Sequence, residues 1–336
     1  MQPVGQMPLP KKLSSTRNVA QVEEMLEEWF GSPVVLTSSG RGALMLAFSH
    51  LGLNRYRDRV AMTPMISTCV LQTVAHHAFP VDAASTVKAD ATLVYHQYGF
   101  VQSINPTGPV VEDICHAFFA GPTNGRRAWL GELAAFSLPK FFSTSNPVGG
   151  LVVHDRKQAE ILRTRRDAEP QRSIEQEDEE SCVYCASGNR ATLAMARLYL
   201  SRLLNPRISD RELGALPKDV SEITDRGRQR SEIVDIYCDA VGDHCCPKGW
   251  HEMMRQRLPY FFPVGGDESR LLNVRSRLRE IGVEADVYSI DVARNMDCPK
   301  FVKMLLVPCH DAIPAKALTD ISSTLKRFKS SSSVMA

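Results

Sequence analysis

An α/β fold, with a mostly parallel sheet flanked by helices and a smaller α+β domain after it, is what this sequence predicts, and three observations carry the expectation. From Val34 to about Val153 short apolar runs alternate with helix-like segments, the rhythm of parallel strands joined by crossover helices. After His154 that rhythm gives way to a charged stretch. The chain also has 336 residues, more than one hydrophobic core usually serves, so a large domain and a smaller one are expected.

The strands of the first domain are read at Val34–Thr37, Val60–Thr63, Thr92–Tyr95, Val110–Glu112, Leu133–Ser137 and Leu151–His154, several apolar on both faces as buried parallel strands require. Gly42–Leu51 and Cys69–Ala78 carry apolar residues at helical spacing between them. The charged segment Arg156–Glu180 offers little to bury and is expected to run over the surface as a helix end and mobile connection. A helix over Ala191–Leu204 follows, then a Pro- and Asp-containing passage at Asn205–Asp219 and a long helix at Ser221–Val241. The last third reads as a strand at Arg257–Val264, a helix at Asp267–Ile281, a strand at Lys303–Pro308 and an amphipathic helix at Ala315–Phe328. This gives an arm at 1–18, a large domain at 19–204, a small domain at 205–330 and a flexible tail at 331–336.

Composition narrows the function classes. Hydrophobic residues make up 43% and charged residues 23%, ordinary for a globular protein, and no apolar run is long enough to cross a bilayer. The opening MQPVGQMPLPKKL lacks the apolar core of a secretory signal, so a cytoplasmic address is expected. A net charge of +2, with basic residues scattered among acidic ones, gives no field that would gather nucleic acid. Nine cysteines are an odd number and suit reduced thiols better than a disulfide framework. Cys182 and Cys185 have metal-like spacing but no matching second pair, and Cys245 and Cys246 read as core residues, so no metal is expected.

Three segments carry chemistry. In VVLTSSGRGALMLA, at Val34–Ala47, a strand ends in a Ser-Ser-Gly turn and a helix starts at once; its free N–H groups and dipole suit an anion, while Ser39 fits a plain N-cap equally well. In VVEDICHA, at Val110–Ala117, an apolar strand delivers Glu112 and Asp113 to its C-terminal end, where parallel sheets build their sites; capping of a following helix is the alternative. In LAAFSLPKFFSTSNPVGG, at Leu133–Gly150, Lys140 stands among apolar residues, a setting that favours a neutral amine able to form a Schiff base, or one in which the lysine snorkels with a buried stem.

The order of these pieces resembles the DegT/DnrJ/StrS family of sugar aminotransferases, which use pyridoxal phosphate (PLP) on the aspartate-aminotransferase fold, fold type I. The matching segments are SSGRGAL at Ser38–Leu44, HQYG at His96–Gly99, EDICHAF at Glu112–Phe118, FSLPK at Phe136–Lys140, GG at Gly149–Gly150 and LLVPCH at Leu305–His310. The resemblance runs from about Val19 to Phe328 and matches poorly in the central charged segment. It implies that Ser39, Gly40 and Ser137 hold the cofactor phosphate, with Arg41 in contact or turned to solvent. Asp113 would bond the pyridine nitrogen, His116 would lie beside the ring, and Lys140 would carry PLP as a Schiff base and shuttle the proton.

It further implies a cytoplasmic homodimer in which Asn189, on the segment Gly188–Leu198, reaches the neighbouring subunit's phosphate; a helix N-cap is its other reading. Glutamate is the implied donor and a keto sugar, nucleotide-linked, the implied acceptor. Three features depart from the family pattern: Arg41 replaces a threonine, the Ser137–Lys140 spacing is short, and no aromatic residue near Pro64–Thr68 stands ready to stack on PLP. All three fit an alternative, a non-catalytic binding or regulatory protein that keeps the fold; a second alternative is a related PLP reaction on the same scaffold, such as dehydration or one with a non-sugar carbonyl substrate.

Overall fold

The computed structural model describes residues 17–106, 108–120, 131–142, 144, 147–170, 204–213 and 216–330. The chain enters through helix α1 (Val19–Phe30), closed at its N-terminus by an Asn18–Gln21 capping box and at its C-terminus by Gly31 in the left-handed conformation. It continues as β1 (Val34–Thr37), α2 (Gly40–His50), β2 (Arg59–Met62), α3 (Thr68–Ala75), β3 (Phe79–Asp82), β4 (Ala91–Tyr95), β5 (Val110–Asp113), β6 (Leu133–Ser137), β7 (Gly149–Val153) and α4 (Arg156–Ala168).

The seven strands form one sheet in the order β1-β7-β6-β5-β4-β2-β3. Only β7 runs against its neighbours, antiparallel to both β1 and β6, so the expected mostly parallel sheet is what forms. Side chains alternate across it as a period of two demands. Val34, Leu36, Ala134, Phe136 and Val152 point into the core beneath α1. Val35, Leu133, Ala135, Leu151 and Val153 point into the core beneath α2, α3 and α4. Both faces are thus covered, which is why these strands read as apolar runs.

The charged stretch after His154 corrects the sequence reading over its first turns. Arg156–Ala168 is a full helix, started by Asp155, whose carboxylate accepts the N–H groups of Lys157 and Gln158, and it buries Ala159, Leu162 and Arg166. Its charges find partners on α1. Arg166 donates to Glu23 at 2.6 Å and to the Leu36 carbonyl at 2.9 Å, and Arg163 donates to Glu23 at 2.9 Å, to Glu27 at 2.7 Å and to the Val34 carbonyl at 2.8 Å. Glu23 completes the knot by accepting the Leu36 N–H at 2.9 Å. The expected helix at Ala191–Leu204 lies, but for its last residue, outside the described residues, as do Asn189, Cys182, Cys185 and the terminal tail.

The second part begins with the 22-residue α5 (Val220–Val241) and continues through α6 (Trp250–Arg257), β8 (Phe261–Gly265), α7 (Glu268–Glu280), β9 (Asp286–Asp291), β10 (Phe301–Pro308) and α8 (Ala315–Ser330). Its antiparallel sheet has the order β8-β10-β9. One sequence boundary moves and one strand is added. The strand expected from Arg257 starts only at Phe261, because α6 runs to Arg257 and Leu258 closes it at φ 46°. The strand β9, half exposed along most of its length, has no clear apolar alternation and was not expected. Among the described residues no helix is long and apolar enough to cross a membrane.

Candidate active site

The parallel strands β4, β5 and β6 end side by side, and beyond their C-terminal ends opens a cavity of about 390 Å³, within the range of small-molecule sites. Ser39, Gly40, Arg41, Asp113, His116, Ser137 and Lys140 all line it. Every sequence-predicted site residue except Asn189 is therefore brought to one place, from segments up to a hundred residues apart.

Each arrives for a local reason. Ser39 is the N-cap of α2, its Oγ accepting the Gly42 N–H at 3.0 Å, so it caps the helix and faces the cavity at once. The turn is packed too tightly for a larger residue: a Cβ on Gly40 would stand 2.6 Å from Cys115 Sγ and 3.2 Å from Ser137 Cβ. The last residue of β5 is Asp113, whose carboxylate accepts the Cys115 N–H at 2.9 Å instead of capping a helix. Its neighbour Glu112 points away, with Oε1 accepting the Gly131 N–H.

The short Ser137–Lys140 spacing is accommodated by a 3₁₀ turn over Leu138–Lys140. Three residues per turn carry Lys140 back to the side of Ser137, and both reach the cavity. Pro139 lies in its first positions, and the fully buried Leu138, Phe141 and Phe142 anchor it. Lys140 itself is half-buried.

Asp113 is 2% exposed, and among the described residues no cation pairs with it. A carboxylate that is buried, unpaired with a cation and aimed at a cavity calls for a positive or protonated ligand group. The pyridinium nitrogen of PLP is such a group, the Ser39–Arg41 turn offers helix N–H groups and a guanidinium for a phosphate, and Lys140 offers an amine. The residues present fit PLP.

His116 is governed by burial and by the positive Lys140, which together hold its pKa well below the ordinary 6.5, so the imidazole is neutral. Tyr98 and Tyr260 lie parallel to it, at centroid distances of 5.6 Å and 5.0 Å. The HQYG turn produces this arrangement. Tyr98 adopts φ 54° and Gly99 φ 98°, and a Cβ on Gly99 would stand 2.5 Å from the His116 carbonyl and 2.7 Å from Pro259 Cα. Only a glycine lets the Pro259–Tyr260 backbone come so close, and the Tyr260 N–H then donates to the Tyr98 carbonyl at 3.0 Å.

The sequence reading missed several lining residues. Tyr95 ends β4 beside Asp113, a position the strand pattern marks as site-facing. Ser67 comes from the segment where no stacking ring was found, and Cys69 follows it directly. Tyr260 comes from the other half of the chain, and no local pattern announces it.

Residues 30–169 match the family model described as "Putative PLP-dependent aminotransferase". That stretch holds all seven strands of the large sheet and every cavity-lining residue but Tyr260. No curated protein matches the chain in sequence. Among solved structures, DesV of S. venezuelae, solved in complex with a ketimine intermediate, is 17% identical with a TM-score of 0.64, covering 94% of this chain and 91% of its own. A DegT/DnrJ/EryC1/StrS aminotransferase from Brucella abortus is 16% identical with a TM-score of 0.66, covering 93% of this chain and 90% of its own. Helicobacter pylori PseC, an aminotransferase of pseudoaminic acid biosynthesis, is 12% identical with a TM-score of 0.65, covering 98% of this chain and 100% of its own. The fold is fold type I of the PLP-dependent transferases.

Proposed function

We propose that this chain is a PLP-dependent aminotransferase that moves an amino group from an amino acid, glutamate first among the candidates, to a keto sugar carried on a nucleotide. The observation that supports it above all is the meeting, in one cavity, of a buried carboxylate without a cation partner among the described residues, a half-buried lysine and a helix N-terminal turn. Each of the three alone has an ordinary structural explanation; together they match one cofactor.

In this reading Ser39, Gly40, Arg41 and Ser137 bind the phosphate through N–H groups, hydroxyls and one guanidinium. Asp113 keeps the facing ring nitrogen protonated. Bound PLP supplies an electron sink for the carbanion left when a proton leaves the donor's Cα. Lys140 anchors the cofactor and, once displaced by the donor amine, its Nζ takes that Cα proton as a general base and later returns it. The keto acid then leaves, and the acceptor carbonyl enters the same site. The sugar acceptor rests on the resemblance and on what the neighbours' names say of them, as does a homodimer in the cytoplasm with Asn189 reaching across.

The test is Lys140→Ala beside the unaltered protein. After addition of PLP the unaltered protein should show a visible band that borohydride abolishes, and should transfer the amino group of glutamate to a member of a keto-sugar panel, read by product mass. The variant should lose both covalent attachment and turnover, by at least about 10³-fold for a base and nucleophile in one residue. Retention of either by the variant, or an unaltered protein that stays colourless, sinks the proposal.

A further inference from the structure

His116 has one contact that none of its roles above explains. Tyr95 Oη lies 3.5 Å from its Nδ1. Tyr95 is 5% exposed, sits at the end of β4 in register with Asp113, and lines the same cavity. Among the described residues His116 Nδ1 is the one hydrogen-bond partner of that phenol.

The parallel rings of Tyr98 and Tyr260 fix the plane of the imidazole. What they leave open is which ring nitrogen carries the proton, because a neutral imidazole has one N–H and one bare nitrogen. The phenol decides it. A buried O–H needs an acceptor, and among the described residues the one within reach is Nδ1, which accepts when it is bare and the proton sits on Nε2. The opposite arrangement, Nδ1–H donating to the phenol oxygen, would leave the phenolic hydrogen without a protein acceptor among the described residues.

We infer that Tyr95 is a positioning residue that holds His116 as the Nε2–H tautomer, so that His116 acts on the contents of the cavity as a hydrogen-bond donor and never as an acceptor through Nε2. The nature of those contents rests on the PLP reading; the tautomer does not. With PLP bound, a fixed donor at the cavity wall stabilises negative charge on whichever ligand atom meets it, and that moves the visible band and its pH midpoint. A tyrosine that merely fills space would leave both where they are.

The experiment uses the full chain with ¹⁵N-labelled histidine, first without cofactor and then with PLP added. Long-range ¹H–¹⁵N correlation distinguishes a bare ring nitrogen from a protonated one, and His116→Gln assigns the signal by its disappearance. The expected result in the unaltered protein is a bare Nδ1 and a protonated Nε2. In Tyr95→Phe the two shifts should move toward each other as the tautomers mix, and with PLP the visible band of this variant should be displaced from that of the unaltered protein. A protonated Nδ1 in the unaltered protein overturns the inference, and so does a Tyr95→Phe spectrum that keeps the original tautomer pattern. If the expected pattern appears in a protein that never turns yellow with PLP, Tyr95 keeps its role and the cofactor reading falls.

Discussion

Gly99 offers a measurement in which the structure predicts a magnitude as well as a sign. A methyl group there meets three backbone atoms, the His116 carbonyl oxygen at 2.5 Å, Pro259 Cα at 2.7 Å and the Tyr260 nitrogen at 2.9 Å, none of which can rotate aside. The residue also sits at φ +98°. Gly282 is a natural control, at φ +80° with nothing within 4 Å of the place a methyl group would take. Gly282→Ala should therefore cost strain alone, about 1–2 kcal/mol. Gly99→Ala should add to a strain of about 1–3 kcal/mol a crowding cost of about 1–3 kcal/mol, for a total near 4 kcal/mol. Both substitutions stiffen the unfolded chain equally, so that effect cancels in the difference. Urea unfolding of the two variants supplies the comparison, and titration with PLP supplies a second reading. Because the displaced atoms belong to His116 and Tyr260, Gly99→Ala should also weaken cofactor binding while Gly282→Ala leaves it unchanged. Equal destabilisation by the two would refute the claim that close approach, and not backbone angle, holds the cavity wall in place.

Three further outcomes follow from the same structure. Glu23→Ala strips two arginines and the Leu36 N–H of a buried acceptor and should cost about 3–5 kcal/mol in chemical denaturation, with Glu23→Gln recovering part of it. Arg230 is fully buried over the Phe141 ring, and its nearest approach to Asp311 is 3.9 Å, whereas Arg226 bonds Asp311 at 2.9 Å. Arg230→Met should then stay within about 1–2 kcal/mol of the unaltered stability and Asp311→Ala should cost about 3–5 kcal/mol, read from the same unfolding curves. Burial lowers the pKa of His116, and that of His50, His77 and His251, below 6.5. The unfolded chain therefore binds more protons than the folded one as pH falls through 6.5, and stability should drop between pH 7.5 and 5.5, with a smaller drop in His116→Gln; a rise over that interval would contradict the burial argument.

Where local pattern decides structure, the sequence was readable: β1 and β6 have the limits expected of them, since apolar runs bounded by turns leave a buried strand no other register. The cavity residues were readable for a related reason, because chemistry at the ends of parallel strands falls at the ends of apolar runs. The failures share a different cause. The helix Arg156–Ala168 looked like a solvated connection because its charges are satisfied by Glu23 and Glu27, more than a hundred residues earlier, and nothing near it records that. Tyr260 has no local sign because its place is set by a glycine far upstream. Long-range partners account for the helix and for Tyr260, and a weak apolar alternation accounts for β9.

The long helix α5 carries a consequence of its own. Its first half packs Ile223 among the residues beneath the large sheet, and its second half packs Ile233, Val234, Tyr237 and Val241 among those of the small sheet. A single rod is thus embedded at one end in each hydrophobic mass, and the rod is helical without interruption between them. Melting either mass would strand half the helix in water, so the two halves of the molecule are tied into one unfolding event, and a fragment cut anywhere inside the rod would leave both pieces with a raw apolar flank.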